Sequence, residues 1–220
     1  MPKQTSLLIL GATGLVGNQV LQMALADEKI TKVIAPTRRP LNQHPKLINP
    51  IVSFSKLMDA DWWAVDALIC ALGTTIKQAG SKTAFRAVDY QYVLKAAKLA
   101  KSAGCGSFVL NSSLGADPNT SNFYLQVKGQ IENDLQLLEF KSLTIVRPSL
   151  LDGGPRPKRR YGEEIGLWLG NHLRLLIPAR YRPVTTRNVA KAMLVAALDS
   201  EPGIHFIESD ILQNYSMGKS

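Results

Sequence analysis

Cysteine is scarce in this 220-residue chain, and so are long apolar runs. The two cysteines, Cys70 and Cys105, stand outside any Cys-x-x-Cys spacing, which argues against a disulfide framework and a cysteine metal site and favours a reducing compartment. The longest apolar stretch, 165–177, is interrupted by Asn171 and Arg174 and falls short of the roughly 20 residues that a membrane span needs. We therefore expect no metal site and no membrane span.

The amino-terminal residues lack the features of a secretory leader. Only Lys3 precedes the apolar run Leu7–Leu10, which leads directly into glycines without a small-residue cleavage site. Together with the scarcity of cysteine, this predicts a cytoplasmic protein.

Acidic residues are also few, because 17 Asp and Glu stand against 26 Lys and Arg, for a net charge of +9. Ten basic residues but three acidic ones lie between Arg147 and Lys191. Such a patch could attract an anionic substrate or surface, or could simply be a solvated face. A nucleic-acid partner is not expected, because the most basic stretch, 155–160, has no interleaved aromatic residues and matches no RNA- or DNA-binding motif.

Short apolar runs alternate with longer stretches of helical periodicity. The runs are nearly continuous, as in parallel strands that helices cover on both faces. The predicted strands are 7–10, 32–35, 48–54, 67–72, 107–110, 143–146 and 204–207, and the predicted helices are 16–26, 85–103, 123–140, 162–173 and 186–198. This rhythm predicts a doubly wound, mostly parallel α/β (Rossmann) sheet in one domain, residues 1–220, with a substrate-covering segment at 149–185 and a loose tail after Asp210.

A Gly-x-x-Gly-x-x-Gly sequence follows the first predicted strand and opens the first predicted helix. Gly11 permits a sharp turn, Gly14 leaves room for a pyrophosphate against the backbone, and Gly17 lets the helix pack on the strand. The helix N-terminus, at Leu15 and Val16, points N–H groups and its positive dipole end at the phosphates. We expect a dinucleotide-binding loop; a glycine turn that merely packs is the alternative.

The choice of dinucleotide depends on the end of the second strand, where an acidic residue would bind the ribose diol of NAD. Here the sequence is Thr37-Arg38-Arg39. Two guanidiniums in place of an acid suit a 2′-phosphate. This favours NADP(H) over NAD(H), the alternative being a solvated arginine pair.

The candidate catalytic set is Ser113, Tyr124 and Lys128. Residues i and i+4 share a helix face, so Lys128 can hold its ammonium beside Tyr124 and stabilise a phenolate. Tyr124 would then donate a proton to a carbonyl while Ser113, at a strand end, hydrogen-bonds the same oxygen. An ordinary helix tyrosine and a turn serine are the alternatives. A second pair at Tyr215 and Lys219 has no strand before it and is set aside.

The motifs GATGLVG, TRRP, ALGTT, NSS, YLQVKG and VRPSLL together resemble an atypical short-chain dehydrogenase/reductase, and VDYQYVLKAAKLAKSAG, NSSLGAD and YLQVKGQIE resemble its Tat-interacting-protein branch. The resemblance implies NADP(H) binding along the glycine loop, the arginine pair, the loop after the fourth strand and the catalytic helix. The residues it implicates are Gly11, Thr13, Gly14, Gly17, Arg38, Arg39, Leu72, Gly73, Thr74, Tyr124, Lys128 and Pro148, the last of these near the nicotinamide.

Two features depart from the family pattern. Asp89 stands where extended members often carry an Asn, which puts a proton-relay role of this residue in doubt. The stretch after Pro148 is too short for the substrate lobe of a nucleotide-sugar epimerase, so an epimerase is disfavoured. The substrate cover must then come from the 149–185 segment, whose arginines could favour an acidic substrate: Arg156, Arg159 and Arg160.

The first hypothesis is an NADP(H)-dependent oxidoreductase of a small carbonyl or alcohol substrate, for which the basic 147–191 stretch favours an anionic compound. The alternative is an NADP(H)-binding regulatory or scaffold protein with a protein partner, and a basic-surface binder is a weaker third. Small residues at Gly162, Gly166 and Gly170 would permit close helix packing, internal or in a homodimer. The three histidines have no partner cluster in sequence and are read as non-catalytic.

Overall fold

The computed structural model describes residues 5–152 and 178–216. Several predictions therefore lie outside the described residues: the helix at 162–173, most of the 149–185 segment, and the residues Arg156, Arg159, Arg160, Gly162, Gly166, Gly170 and His172.

One sheet of parallel strands organises the described chain. Its strands are β1 (Thr5–Leu10), β2 (Ile30–Ile34), β3 (Leu47–Ile48), β4 (Ala67–Cys70), β5 (Ser107–Asn111), β6 (Ser142–Arg147) and, after the small separate pair β7 (Leu151–Asp152) and β8 (Val184–Thr185), β9 (Gly203–Glu208). The strand order is β3-β2-β1-β4-β5-β6-β9, and every neighbouring pair is parallel. The prediction of a doubly wound α/β sheet is confirmed, and its winding reverses between β1 and β4, where ligands bind in such folds.

The helices cover both faces of this sheet. They are α1 (Leu15–Ala26), α2 (Ile76–Ala79), α3 (Lys82–Arg86), α4 (Val93–Ser102), α5 (Phe123–Gln136), α6 (Thr186–Asp199) and α7 (Ser209–Leu212). A π-helical turn, Ala87–Tyr92, joins α3 to α4. Within the described ranges, no helix is long and apolar enough to cross a membrane.

Alternation along β1 shows how the strands build two cores. Leu7 and Ile9 belong to the cluster that packs with α1 and α6, whereas Leu8 and Leu10 belong to the cluster that packs with α4 and α5. All four side chains are fully buried. Because successive side chains point to opposite faces, a strand covered on both sides must be apolar throughout.

Several predicted boundaries were wrong. The strand predicted at 48–54 is interrupted after Leu47–Ile48, since Pro50 offers no N–H to a strand ladder; pairing resumes in a single bridge between Thr37 and Ile51 before the 3-10 turn Phe54–Lys56. Helix α5 ends at Gln136 instead of 140, and Glu139 takes the left-handed conformation with φ 52°. The tail is not loose up to residue 216, because α7 continues into a 3-10 turn that packs against α6.

Candidate functional site

A cavity of about 660 Å³ opens at the carboxyl edge of the sheet, at the β1/β4 switch point. Its wall combines the glycine loop after β1, the end of β2, the 53–55 turn, the loop after β4 and one side of the α3 to π-turn segment. Seven residues predicted to bind cofactor line it: Gly11, Thr13, Gly14, Arg38, Leu72, Gly73 and Thr74. The volume is within the ~300–1,000 Å³ range of small-molecule and cofactor sites.

The glycine loop forms a cradle in which side chains have no room. Gly11 has φ 80°, and a Cβ there would stand 2.6 Å from the carbonyl oxygen of Ala71. A Cβ on Gly17 would collide with the carbonyl group of Gly11. Helix α1 starts directly after Gly14, whose N–H donates to the Gly11 oxygen at 2.9 Å, and no side chain caps the helix. Its first N–H groups are thus available to an anion.

The side chains of Leu15 and Val16 differ in burial. Leu15 is exposed, whereas Val16 is buried in the α1–α6 core. Their contribution to a bound phosphate would come from the backbone.

The two arginines are both exposed, but they differ in position. Arg38 lines the cavity, whereas Arg39 lies outside the cavity wall. The turn that carries them is held by Thr37, whose hydroxyl donates to the Arg39 carbonyl at 2.6 Å and accepts from the Asn49 amide at 2.8 Å. The geometry gives Arg38 the more direct access to a bound ligand.

Lys128 and Asp89 form a buried ion pair beneath the loop after β4. Nζ of Lys128 lies 2.8 Å from Oδ1 of Asp89, and the other carboxylate oxygen accepts the N–H of Thr74 at 2.8 Å. Burial disfavours the ammonium of Lys128, but the charge and hydrogen bond of the Asp89 carboxylate outweigh burial and raise the pKa of Lys128 above its ordinary value. Lys128 therefore remains a cation at working pH.

The π-helical turn explains why Asp89 reaches Lys128. Asp89 lies in this turn and is 1% exposed. π-helical turns occur frequently at functional sites. The carboxylate approaches Gly73 so closely that a Cβ on Gly73 would stand 3.2 Å from Asp89 Oδ1 and 3.8 Å from Lys128 Nζ.

Tyr124 stands in the first turn of α5, one turn before Lys128. The Asn122 side chain caps this helix by accepting the N–H of Leu125 at 3.2 Å. The Tyr124 ring is half-buried and packs against Phe85 of α3, with ring centroids 5.5 Å apart. The cap fixes the start of α5, and the Phe85 contact covers part of the Tyr124 ring.

Ser113 and Pro148 are held side by side by the backbone. The N–H of Ser112 donates to the Val146 carbonyl and that of Leu114 to the Pro148 carbonyl, each at 2.8 Å. This extends the β5–β6 pairing past the strand ends. Ser113 is half-buried, and its hydroxyl has a long contact of 3.4 Å to the Leu114 carbonyl.

The loop after Ser113 then returns to pack on α5. At Gly129, next to Lys128, a Cβ would collide with the backbone of Asp117 and Pro118. This glycine lets the loop that carries Ser113 lie directly on the helix that carries Tyr124 and Lys128.

Ser112 points away from Ser113, as the strand alternation predicts. Its hydroxyl donates to Glu132 of α5, whose carboxylate also binds Arg147 of β6, with Nε to Oε1 at 3.2 Å. Glu132 is 2% exposed, and its hydrogen bond is the largest of the influences that raise the pKa of Arg147. Arg147 also approaches Glu208, which pairs with Arg180 at 3.0 Å.

Both cysteines are free and buried. Cys70 ends β4 below the loop that lines the cavity, and burial raises the pKa of its thiol to about 12. Burial also raises the pKa of Cys105 to about 11. Their interpretation as small core residues is therefore supported, and the described part of the chain holds no cluster of metal-ligating residues.

Sequence reasoning missed part of the cavity wall. The 53–55 turn contributes Ser53, Phe54 and Ser55, and the helical side contributes Val88 and Tyr92. Most of this turn lies within the strand predicted at 48–54. Asp89 itself was noted only as a departure from a family pattern.

The residues present suit a dinucleotide. The cradle that a Cβ would fill, an uncapped helix N-terminus and a guanidinium at the end of β2 are three separate features that accept phosphate groups. Such a ligand would extend from Arg38, past the glycine loop, toward Gly73 and Thr74.

Comparison with known proteins agrees with this geometry. Residues 11–200 match a family model described as NAD(P)H-binding. The protein FMP52 of Debaryomyces hansenii is 35% identical over 203 residues, covering 90% of this chain and 88% of that protein. HTATIP2 of Rattus norvegicus is 40% identical over 152 residues, covering 66% of this chain and 62% of that protein.

Solved structures share the fold. MoeE5 in complex with UDP-glucose and NAD matches with a TM-score of 0.68 at 14% identity, covering 97% of this chain and 82% of that one. UDP-glucose 4-epimerase from Thermotoga maritima matches with a TM-score of 0.66 at 16% identity, covering 96% and 80%. These likenesses concern the fold alone.

The expectation of a cytoplasmic protein is wrong. The FMP52 relatives from Debaryomyces hansenii, Candida albicans and Candida glabrata, 31 to 35% identical, are named mitochondrial proteins. The expectation rested on scarce cysteine, which indicates a reducing environment, and on the lack of secretory-leader features. Neither distinguishes the cytosol from other reducing compartments.

Proposed function

The chain belongs to the NAD(P)H-binding family, within the atypical short-chain dehydrogenase/reductase branch of FMP52 and HTATIP2, and we propose that it is an NADP(H)-dependent oxidoreductase. In this proposal it transfers a hydride between the nicotinamide and a small carbonyl or alcohol compound. The observation that carries it is the placement of Tyr124 and Lys128 on α5, with the Lys128 ammonium 3.8 Å from the Cβ position of Gly73 in the cavity wall.

The roles of the three side chains follow from their surroundings. A nicotinamide cofactor held along this cavity would supply the hydride that the reduction requires. Tyr124 gives its phenolic proton to the carbonyl oxygen, so the product is an alcohol and the tyrosine is left as a phenolate. Lys128 favours that phenolate through its charge, and Ser113 donates a hydrogen bond to the substrate oxygen.

The preference for NADP(H) is proposed on the charge at the end of β2. Arg38 lines the cavity, and the Thr37-Arg38-Arg39 turn carries no acidic residue to hold a ribose diol. A guanidinium binds a 2′-phosphate by charge-assisted hydrogen bonds. The excess of basic residues in the 147–191 sequence favours a substrate that is itself anionic.

The test is oxidation of NADPH in the presence of a panel of aldehydes, ketones and enones. Tyr124→Phe should lower kcat by at least ~100-fold, within the range that general acids contribute, while NADPH affinity stays close to wild type. Tyr215→Phe is the matched control, because Tyr215 belongs to the other Tyr-x-x-x-Lys sequence and packs against the α1–α6 core. Equal turnover of Tyr124→Phe and wild type would overturn the proposed chemistry.

A second candidate is an NADP(H)-binding regulatory protein without turnover, which would act on a protein partner. The observation that favours it is the Asp89–Lys128 pair, since a carboxylate 2.8 Å from the ammonium offsets the charge that a phenolate needs. Tight NADPH binding combined with no NADPH oxidation across the panel is its expected result. A large Tyr124→Phe effect on turnover would exclude it.

A further inference from the structure

The Asp89–Lys128 pair places two opposite buried charges directly behind the wall of the dinucleotide cavity. Asp89 is 1% exposed, and Oδ1 lies 3.2 Å from the Cβ position of Gly73, whose backbone lines that cavity. The backbone of Gly73 and Thr74 thus lies between the carboxylate and the cavity. Its second oxygen holds the Thr74 N–H at 2.8 Å, so the carboxylate cannot move without moving the wall.

Among the residues that the structure describes, few other ionisable groups approach this pair. The π-helical turn supplies Asp89, α5 supplies Lys128 and Tyr124, and β4 supplies Cys70. The thiol of Cys70 is neutral at working pH because burial raises its pKa to about 12. The net charge behind the wall therefore depends on Asp89 and Lys128, and the pair sums to zero.

The nicotinamide ring of an oxidised dinucleotide carries a positive charge that the reduced ring lacks. An unpaired lysine in this position repels the oxidised form selectively, because the two forms differ in little else. A carboxylate beside the lysine removes that repulsion. The interaction is strong since the pair is buried and weakly screened.

We propose that Asp89 sets the balance between oxidised and reduced dinucleotide at this site by cancelling the charge of Lys128. The inference rests on the proposed NADP(H) binding and assigns to Asp89 a positioning and specificity role. With this charge cancelled, the site binds NADP as readily as NADPH. Such a site suits an enzyme that oxidises an alcohol, or a protein that responds to the ratio of NADP to NADPH.

The test is a double-mutant cycle on the two charges, measured by dinucleotide binding and not by turnover. The ratio of the dissociation constants for NADP and NADPH is measured by calorimetry and NADPH fluorescence for wild type, Asp89→Asn, Lys128→Gln and the double variant. Asp89→Asn should weaken NADP relative to NADPH by about tenfold, and Lys128→Gln should shift the ratio about as far in the opposite direction. The double variant, again neutral, should return to the wild-type ratio.

The dependence of this ratio on pH distinguishes the loss of a charge from a structural defect in the variant. Between about pH 6 and about pH 9, the shift in Asp89→Asn should be largest at the acid end, where the unpaired lysine stays protonated. A structural defect would not give this pH profile.

Asp134→Asn is the control for net charge. Asp134 also lies on α5, but its carboxylate accepts the Tyr90 hydroxyl and it lies outside the cavity wall. This variant should leave the ratio unchanged. If Asp89→Asn fails to fold, Lys128→Gln and the double variant still decide the question.

Three results would overturn the inference. The first is an unchanged NADP-to-NADPH ratio in Lys128→Gln and in Asp89→Asn. The second is a double variant that departs from wild type as far as the single variants do. The third is a wild-type protein that binds neither NADP nor NADPH, which would overturn the proposed function as well. The first two results leave the proposed function standing.

Discussion

The guanidinium of Arg147 and the carboxylate of Glu132 tie β6 to α5 through two hydrogen bonds, one of them 3.2 Å from Nε to Oε1. Because Glu132 is 2% exposed and also accepts the Ser112 hydroxyl, loss of its charge weakens several buried hydrogen bonds and leaves Arg147 with the more distant carboxylate of Glu208, at 3.7 Å. We expect Glu132→Gln to lower the free energy of unfolding by about 3 kcal/mol. Urea denaturation followed by circular dichroism measures this loss.

The control is an exposed pair of the same chemistry. Arg180 is 51% exposed on its side chain and pairs with Glu208. Arg180→Ala should cost less than about 1 kcal/mol. Similar losses for Glu132→Gln and Arg180→Ala would contradict the importance given to the buried pair.

The glycine loop should tolerate no Cβ at Gly17. A methyl group there would overlap the carbonyl group of Gly11, which belongs to the backbone and cannot move away as a flexible side chain can. We expect Gly17→Ala to lower the free energy of unfolding by about 2 kcal/mol and to weaken NADPH binding. Thermal unfolding and NADPH fluorescence report the two effects.

Gly106→Ala supplies the comparison, because a Cβ there meets nothing within 4 Å and its φ is not left-handed. That variant should change stability by less than about 0.5 kcal/mol. A Gly17→Ala protein as stable as Gly106→Ala would show that α1 does not pack on the loop as described.

The thiols should be inert in the folded protein. Burial raises the pKa of Cys70 to about 12 and that of Cys105 to about 11, so the thiolate fraction at pH 8 is very small. Ellman's reagent should label neither cysteine in native protein and both in denaturant. Rapid labelling of Cys70 in the native state would mean that the end of β4 opens to solvent.

The buried ion pair gives stability a defined pH range. The pKa of Lys128 is raised above its ordinary 10.5, so the contribution of its charge is complete below that value and is lost as pH rises through the folded pKa. The difference in unfolding free energy between wild type and Asp89→Asn/Lys128→Gln should stay constant from about pH 6 to about pH 9. A fall in this difference between about pH 7 and about pH 9 would contradict the assignment.

Much of the fold could be predicted because it depends on local patterns. The strands β1, β4 and β5 can be recognised as continuous apolar runs, since strands buried on both faces contain few polar residues. The glycine spacing likewise requires only local backbone geometry. Tyr124 and Lys128 fall on one side of α5 because helical periodicity is regular.

The rest depends on contacts between segments distant in sequence. Nothing in the sequence around Asp89 shows that a π-helical turn will aim its carboxylate at Lys128. The strand predicted at 48–54 failed at Pro50, where the missing N–H weighs more than the surrounding apolar residues. Arg39 could not be separated from Arg38 by sequence, because the turn geometry decides which one enters the cavity wall.

The most direct test of the central claim is a titration of NADPH, NADP, NADH and NAD into the purified protein, with Arg38→Ala and Arg39→Ala beside the wild type. The account predicts that NADPH binds more tightly than NADH, that Arg38→Ala weakens NADPH about 10- to 100-fold through the loss of a charge-assisted contact, and that NADH affinity hardly changes. Arg39→Ala should have the smaller effect. Equal affinity for NADH and NADPH, or no binding of any dinucleotide, would contradict it.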